Sequence, residues 1–199
     1  MLYTQYMYMF DEFTGRFQWY TPVLHAMKCH LLTDDTYGVA EPVANIEKGA
    51  VQESCKLAYN PANNLLNNEL DDLIRNQLNP IITDMGSKYI IGQLTTLKKP
   101  SILTRAHAVK SLHKIKKAIV PALKPFIQKK ISNSLKTKAR DAVNYILNKF
   151  NNESDEKNRL IVSYSSDVVF DENSYSAKVN IKLEFVKTIE EISINFRVT

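Results

Sequence analysis

The chain has 199 residues, 44% of them hydrophobic and 24% charged, which is ordinary globular usage and argues against a disordered or fibrous polypeptide. No apolar run approaches the ~18–20 residues that cross a bilayer, the first twenty residues lack the basic and apolar regions of a signal peptide, and the two isolated cysteines, Cys29 and Cys55, fit reduced cytosolic thiols better than a disulfide framework. The net charge of +5 conceals a division: residues 1–97 carry six Lys/Arg against eleven Asp/Glu, 98–140 thirteen against none, and 141–199 seven against ten, so the middle segment calls for an acidic partner or a solvated face.

Met1 to Tyr20 is aromatic and β-prone around the turn signal Asp11-Glu12-Phe13-Thr14-Gly15, which predicts two strands and a loop. Residues 31–50 satisfy no period and read as an irregular loop. Asn60-Pro61 offers an N-cap and first-turn proline for a helix carrying Leu65, Leu66, Leu70, Leu73 and Ile74 on one face, stopped by Asn79-Pro80. Ile81-Ile82 and Tyr89-Ile90-Ile91 flank a turn in which Gly86 supplies a positive φ, so an antiparallel pair is expected there.

After Pro100-Ser101, Ala108, Leu112, Ile115 and Ile119 share one helical face and Lys110, Lys114 and Lys117 the opposite one, so the basic side is expected to point away from the core. Pro121 and Pro125 are expected to interrupt this helix, and a longer one then runs through Ile127, Ile131, Leu135, Ala139, Val143, Ile146 and Phe150 to the polar run 151–158. A strand near Leu160–Tyr164 pairs with a strand over 177–186 through a loop at 167–174. A last strand alternates Ile192, Ile194, Phe196 and Val198 against Ser193, Asn195 and Arg197, and it either lies at an edge of its own sheet or leaves to complete another chain's. The fold class is α+β: mixed and antiparallel sheets packed with two or three amphipathic helices. It divides into 1–150, an α/β core, and 151–199, a hairpin with the final strand, in one structural unit.

His25, Cys29 and His30 have partial metal-ligand spacing but no fourth ligand or second pair, and are read as ordinary packed side chains, with no metal. Neither a phosphate-binding glycine loop nor a nucleophile elbow is present in the sequence, so no enzyme activity and no cofactor are expected. The basic stretch is mostly lysine, with Arg105 and Arg140 as its arginines and Phe126 as its aromatic, a poor set for reading or stacking bases. Its readings are an acidic protein surface, which is preferred, then nucleic acid, which a basic module over 98–140 can bind nonspecifically, or simple solvation.

Pro22, His25, Thr33-Asp34, Gly38 and Glu41-Pro42-Val43-Ala44-Asn45 stand in one order, followed by Asn79-Pro80-Ile81, Gly86, Ile91-Gly92-Gln93-Leu94-Thr95, Pro100-Ser101 and Val109-Lys110-Ser111-Leu112, and the chain ends EEISINFRVT. In this series the chain resembles the C-terminal part of contractile tail sheath proteins of bacteriophages and related injection machines. Ile91 stands where that family has Trp, Leu94 where it has Arg, and Ser111 where it has an Arg of the helix.

The resemblance implies a structural subunit that polymerises helically around an inner tube and contracts to drive it through the host envelope, in a virion tail assembled in the host cytoplasm. Its partners are then further copies of itself, the inner tail tube protein, and baseplate and tail terminator proteins, without membrane or nucleic acid. Ile192, Ile194, Phe196 and Val198 become the inter-subunit strand. Arg105, Lys110, Lys114 and Lys117 become the tube- or neighbour-facing basic helix.

Overall fold

The computed structural model describes residues 1–51, 54–61, 69–84, 86–171 and 176–188. Its first layer is built by short strands. β1 (Leu2–Tyr3) pairs in parallel with β6 (Leu78–Asn79), and β2 (Met7–Asp11) turns through Gly15, at φ 66°, into β3 (Arg16–Tyr20). β2 also pairs with β5 (Lys56–Leu57). β4 (Ala50–Val51) and β7 (Ile81–Asp84) flank β8 (Ser87–Ile90), and Gly86, at φ 85°, lies in the β7–β8 connection as the sequence led us to expect.

α1 (Pro22–Thr36) occupies the start of the expected loop, and that reading is corrected. Thr21 caps the helix by accepting from Val23 N, Pro22 takes the first turn, and the Gly38 N–H closes the other end on Thr33 O. α2 (Glu69–Arg75) also ends earlier than predicted, since Gln77 adopts φ 61° and Leu78–Asn79 turn into β6. Residues 62–68, where the start of that helix was expected, lie outside the described residues. Asn60 Oδ1 accepts from Thr83 N at 2.8 Å.

The second layer holds α3 (Ala106–Leu123), α4 (Asn133–Phe150), β9 (Ile161–Asp171) and β10 (Ser176–Phe185). Pro121 does not interrupt α3. Its missing N–H falls in the last turn, on the exposed side, where the carbonyl left without a donor can meet water, and a 3-10 turn over Lys124–Phe126 ends the run. α4 starts at Asn133, after Ile127 and Ile131, because the Ser132 hydroxyl accepts from Leu135 N at 3.1 Å. β9 and β10 reach Asp171 and Ser176, so the expected loop is shorter and the hairpin longer.

Two cores result. One gathers Met7, Ala26, Cys29, Val43, Val51, Cys55, Ile81 and Ile90 from the strand layer and α1. The other packs Ala108, Ile115 and Ile119 of α3 against Val143, Leu147 and Phe150 of α4, with Leu160, Ile161 and Phe185 at the root of the hairpin. Asn79, fully buried, stitches the strand layer: its amide donates to Leu2 O and Leu94 O, each at 2.9 Å, and its Oδ1 accepts from Leu94 N at 2.6 Å.

Candidate assembly surfaces

The hairpin β9–β10 projects one face onto α4 and the other to solvent. Val179, Ile181 and Leu183 alternate inward with Tyr164 and Val168, while Lys178, Asn180, Lys182 and Glu184 point out. Polar pins fix the inner face: Tyr164 Oη donates to Asn148 Oδ1 and Ser166 Oγ to Asn144 Oδ1, both at 2.6 Å. Among the described residues β9 and β10 pair only with each other, so each presents one long main-chain edge without a described partner strand. The sequence-predicted residues Ile192, Ile194, Phe196 and Val198 lie outside the described residues. The last described positions lead away from the hairpin root, with the Val186 N–H on Leu160 O at 3.3 Å and Thr188 Oγ1 accepting from Gln93 Nε2 at 3.5 Å.

The basic helix differs from its expected orientation. Lys110 pairs with Asp34 of α1, both half-buried, and Lys114 Nζ donates to Asn158 Oδ1 at 2.9 Å. Arg105 is half-buried at the N-terminus of α3, where its backbone bridges Leu94, and Lys117 is exposed. Two of the three aligned lysines therefore serve the chain's own packing, because α1 and the 151–158 turn close over the face that the periodicity left to solvent. Exposed positive charge collects instead where α3 ends and α4 begins, at Lys116, Lys117, Lys124, Lys129, Lys130, Lys138 and Arg140, without an ion pair among the described residues. A cleft of about 310 Å³ opens at the same end, between Phe126, Ile127 and Ile131 and the hairpin residues Val168, Phe170 and Val179.

A third surface was missed from sequence. α1 buries the small residues Ala26, Cys29 and Thr33 and exposes Leu24, Met27, Leu31 and Leu32, so it lacks the usual amphipathic signature. On the adjoining hairpin Tyr8, Phe10, Phe17 and Trp19 form an aromatic ladder on one face, with ring centroids 5.0–5.6 Å apart. Phe10, Phe17 and Trp19 are each more than half exposed. A cavity of about 600 Å³ lies between this hairpin and α1. Apolar exposure that is contiguous in this way is uncommon on a solvated protein surface.

His25 and Cys29 face that cavity with Nε2 and Sγ 3.2 Å apart. Burial pushes the Cys29 thiol up and the His25 imidazole down, so both are neutral near pH 7, the reverse of an activated thiolate–imidazolium pair. His30 turns elsewhere: its Nε2 is 2.8 Å from Tyr3 Oη and its Nδ1 3.5 Å from Lys110 Nζ. Burial first, then the Lys110 ammonium, push His30 down to about 4. Burial likewise raises the Tyr3 phenol. The three residues suspected of ligation are thus divided between two environments.

No known family profile matches the sequence, and no curated protein does. Solved structures do. One chain of the cryo-EM structure of the anti-feeding prophage baseplate superposes with a TM-score of 0.77 at 13% identity, over 99% of this chain. A chain of the helical sheath of the same particle in the contracted state gives 0.78 at 15% over 98%, and one of the sheath complex of the extracellular contractile injection system PVC, also contracted, gives 0.76 at 13% over 98%. The chain spans about half the length of each of these, 54–55%. At these identities the likeness is one of fold: the α+β chain has the fold of a contractile sheath subunit, as its motifs led us to expect.

Proposed function

We propose that the chain is a non-enzymatic structural subunit of a contractile sheath, polymerising helically around an inner tube and contracting by a switch between two packings of rigid units. The observation that carries this reading is the superposition of nearly the whole chain on sheath and baseplate structures with TM-scores of 0.76–0.78. Two features of the chain support it. The hairpin β9–β10 offers main-chain edges to which a strand can add, and the sequence from Ile192 to Val198 alternates as an added strand must.

A segment that leaves one copy and pairs with the next makes a heterologous contact, and such contacts generate helical filaments when they do not close into a ring. Rigid units tethered by exchanged segments can then change their packing while the lattice stays connected. The exposed lysines around the α3–α4 turn, including Lys117, serve the acidic partner, either the tube or an adjacent copy. The apolar face of α1 and the aromatic ladder form a further contact within the assembly.

Removal of residues 190–199 tests the reading. The expected result is a folded chain that no longer forms striated tubes in negative-stain images. Normal tubes from the truncated chain contradict the exchanged-segment mechanism.

A further inference from the structure

We infer that the cavity between the β2–β3 hairpin and α1 receives the α3–α4 turn, residues 124–130, of a second copy of this chain. The inference rests on the proposed assembly of copies into a sheath and names one contact within it. The receiving surface is apolar and acidic. Phe13, fully exposed, and Phe10, Leu24 and Leu32, each more than half exposed, line the cavity of about 600 Å³. Asp11, Glu12 and Glu47 line it as well. Of the two lysines beside them, Lys48 is paired with Glu41, so among the described lining residues three carboxylates oppose the ammonium of Lys28.

The occupant must therefore be both apolar and cationic, since carboxylates and the ring faces of Phe10, Phe17 and Trp19 alike attract ammonium groups. The α3–α4 turn has that composition. Lys124-Pro125-Phe126-Ile127-Gln128-Lys129-Lys130 carries three exposed lysines without an ion pair among the described residues, around Ile127 at 68% exposure. Gln128, at φ 63°, turns the backbone directly after Ile127. The whole of 98–140 contains no Asp or Glu that would repel the carboxylates of the cavity.

Geometry makes the contact intermolecular. α1 leads from the cavity at His25 to Asp34 on Lys110, and beyond its end Gly38 lies against the Lys157 carbonyl. One turn on from Lys110, Lys114 of α3 donates to the neighbouring Asn158. The two helices therefore run in the same sense here, both away from the cavity. From Lys110 to its end at Leu123, α3 extends roughly 20 Å further at about 1.5 Å per residue. Cavity and turn thus lie at opposite ends of one copy, and each can meet its counterpart only on another. A contact between two unlike surfaces is heterologous and propagates from copy to copy.

Photocrosslinking tests the contact. A benzophenone side chain replaces that of Phe13, a fully exposed position, in the full chain, and isotopically mixed copies are irradiated both in tubes and in concentrated solution. Mass spectrometry is expected to map crosslinks between differently labelled copies onto residues 124–130. Lys124→Glu, Lys129→Glu, Lys130→Glu should cut their yield about fivefold or more, and Glu12→Lys, Glu47→Lys on the benzophenone copy should recover it. Crosslinks that map only elsewhere, as on a tube protein or the C-terminal segment, overturn the inference, as does their absence or a yield indifferent to the charge reversal. If tubes form without the mapped crosslinks, the sheath reading stands and this contact is wrong. If the crosslinks appear in solution while the chain forms no tubes, the contact stands and the sheath reading fails.

Discussion

The ammonium of Lys110 and the carboxylate of Asp34 meet between α3 and α1, 76 positions apart in the chain and each about a quarter exposed. This pair joins the two layers and redirects a residue that the sequence assigned to an external partner. Replacing Lys110 by Met leaves a half-buried carboxylate without its cation. The expected loss is about 1–2 kcal/mol, between the values for exposed and fully buried pairs. Urea unfolding of Lys110→Met, Asp34→Leu and the double variant checks it, and the double variant should recover part of the loss through coupling of the two sites.

His30 makes stability depend on pH. Its folded-state value of about 4 lies below its ordinary 6.5, so between those values the unfolded chain binds a proton that the folded chain does not. Stability is then fully present above pH 6.5 and falls as pH drops toward 4. His25, also lowered, acts in the same direction. His30→Gln should flatten that pH window in thermal unfolding, and an unchanged slope would remove His30 as its source.

Asn79 is the polar hub of the strand layer, and Asn79→Ala removes three hydrogen bonds while leaving the Leu94 backbone unsatisfied in the interior. A loss of roughly 2–4 kcal/mol follows from two or more buried groups left unpaired. Chemical denaturation measures it directly, and a change below 1 kcal/mol would mean that water takes over those bonds.

Lys116 and Lys117 are exposed, so their double replacement by Gln should leave the unfolding midpoint within about 0.5 kcal/mol of native, as surface substitutions usually do. Co-sedimentation with an acidic tube protein should nevertheless weaken. Retention of DNA by the native chain, falling linearly in log salt and relieved by the same replacement, would instead favour the nucleic-acid reading of residues 98–140.

What could be read in the sequence follows from what fixes each element. The β2–β3 and β9–β10 pairings announce themselves by alternation and turn residues, and α4 by Leu135, Ala139, Val143 and Phe150 at three- and four-residue spacing. α1 was hidden because its buried side is made of Ala26, Cys29 and Thr33 while Leu24, Met27 and Leu31 face outward, so periodicity carried the wrong sign. The basic face misled for a related reason: periodicity separates polar from apolar sides but does not tell which lysine finds a partner such as Asp34 or Asn158 in the same chain. The cleft beside Phe126 and Ile127 depends on the α3–α4 turn meeting the hairpin end, a long-range contact to which no local pattern points.

A cryo-EM reconstruction of tubes assembled from the full chain bears most directly on the central claim. The account predicts that the β9–β10 sheet of each subunit carries an added strand whose density leads back to an adjacent subunit. Density in which residues 189–199 lie along their own hairpin, leaving no edge for a strand from outside, would contradict it.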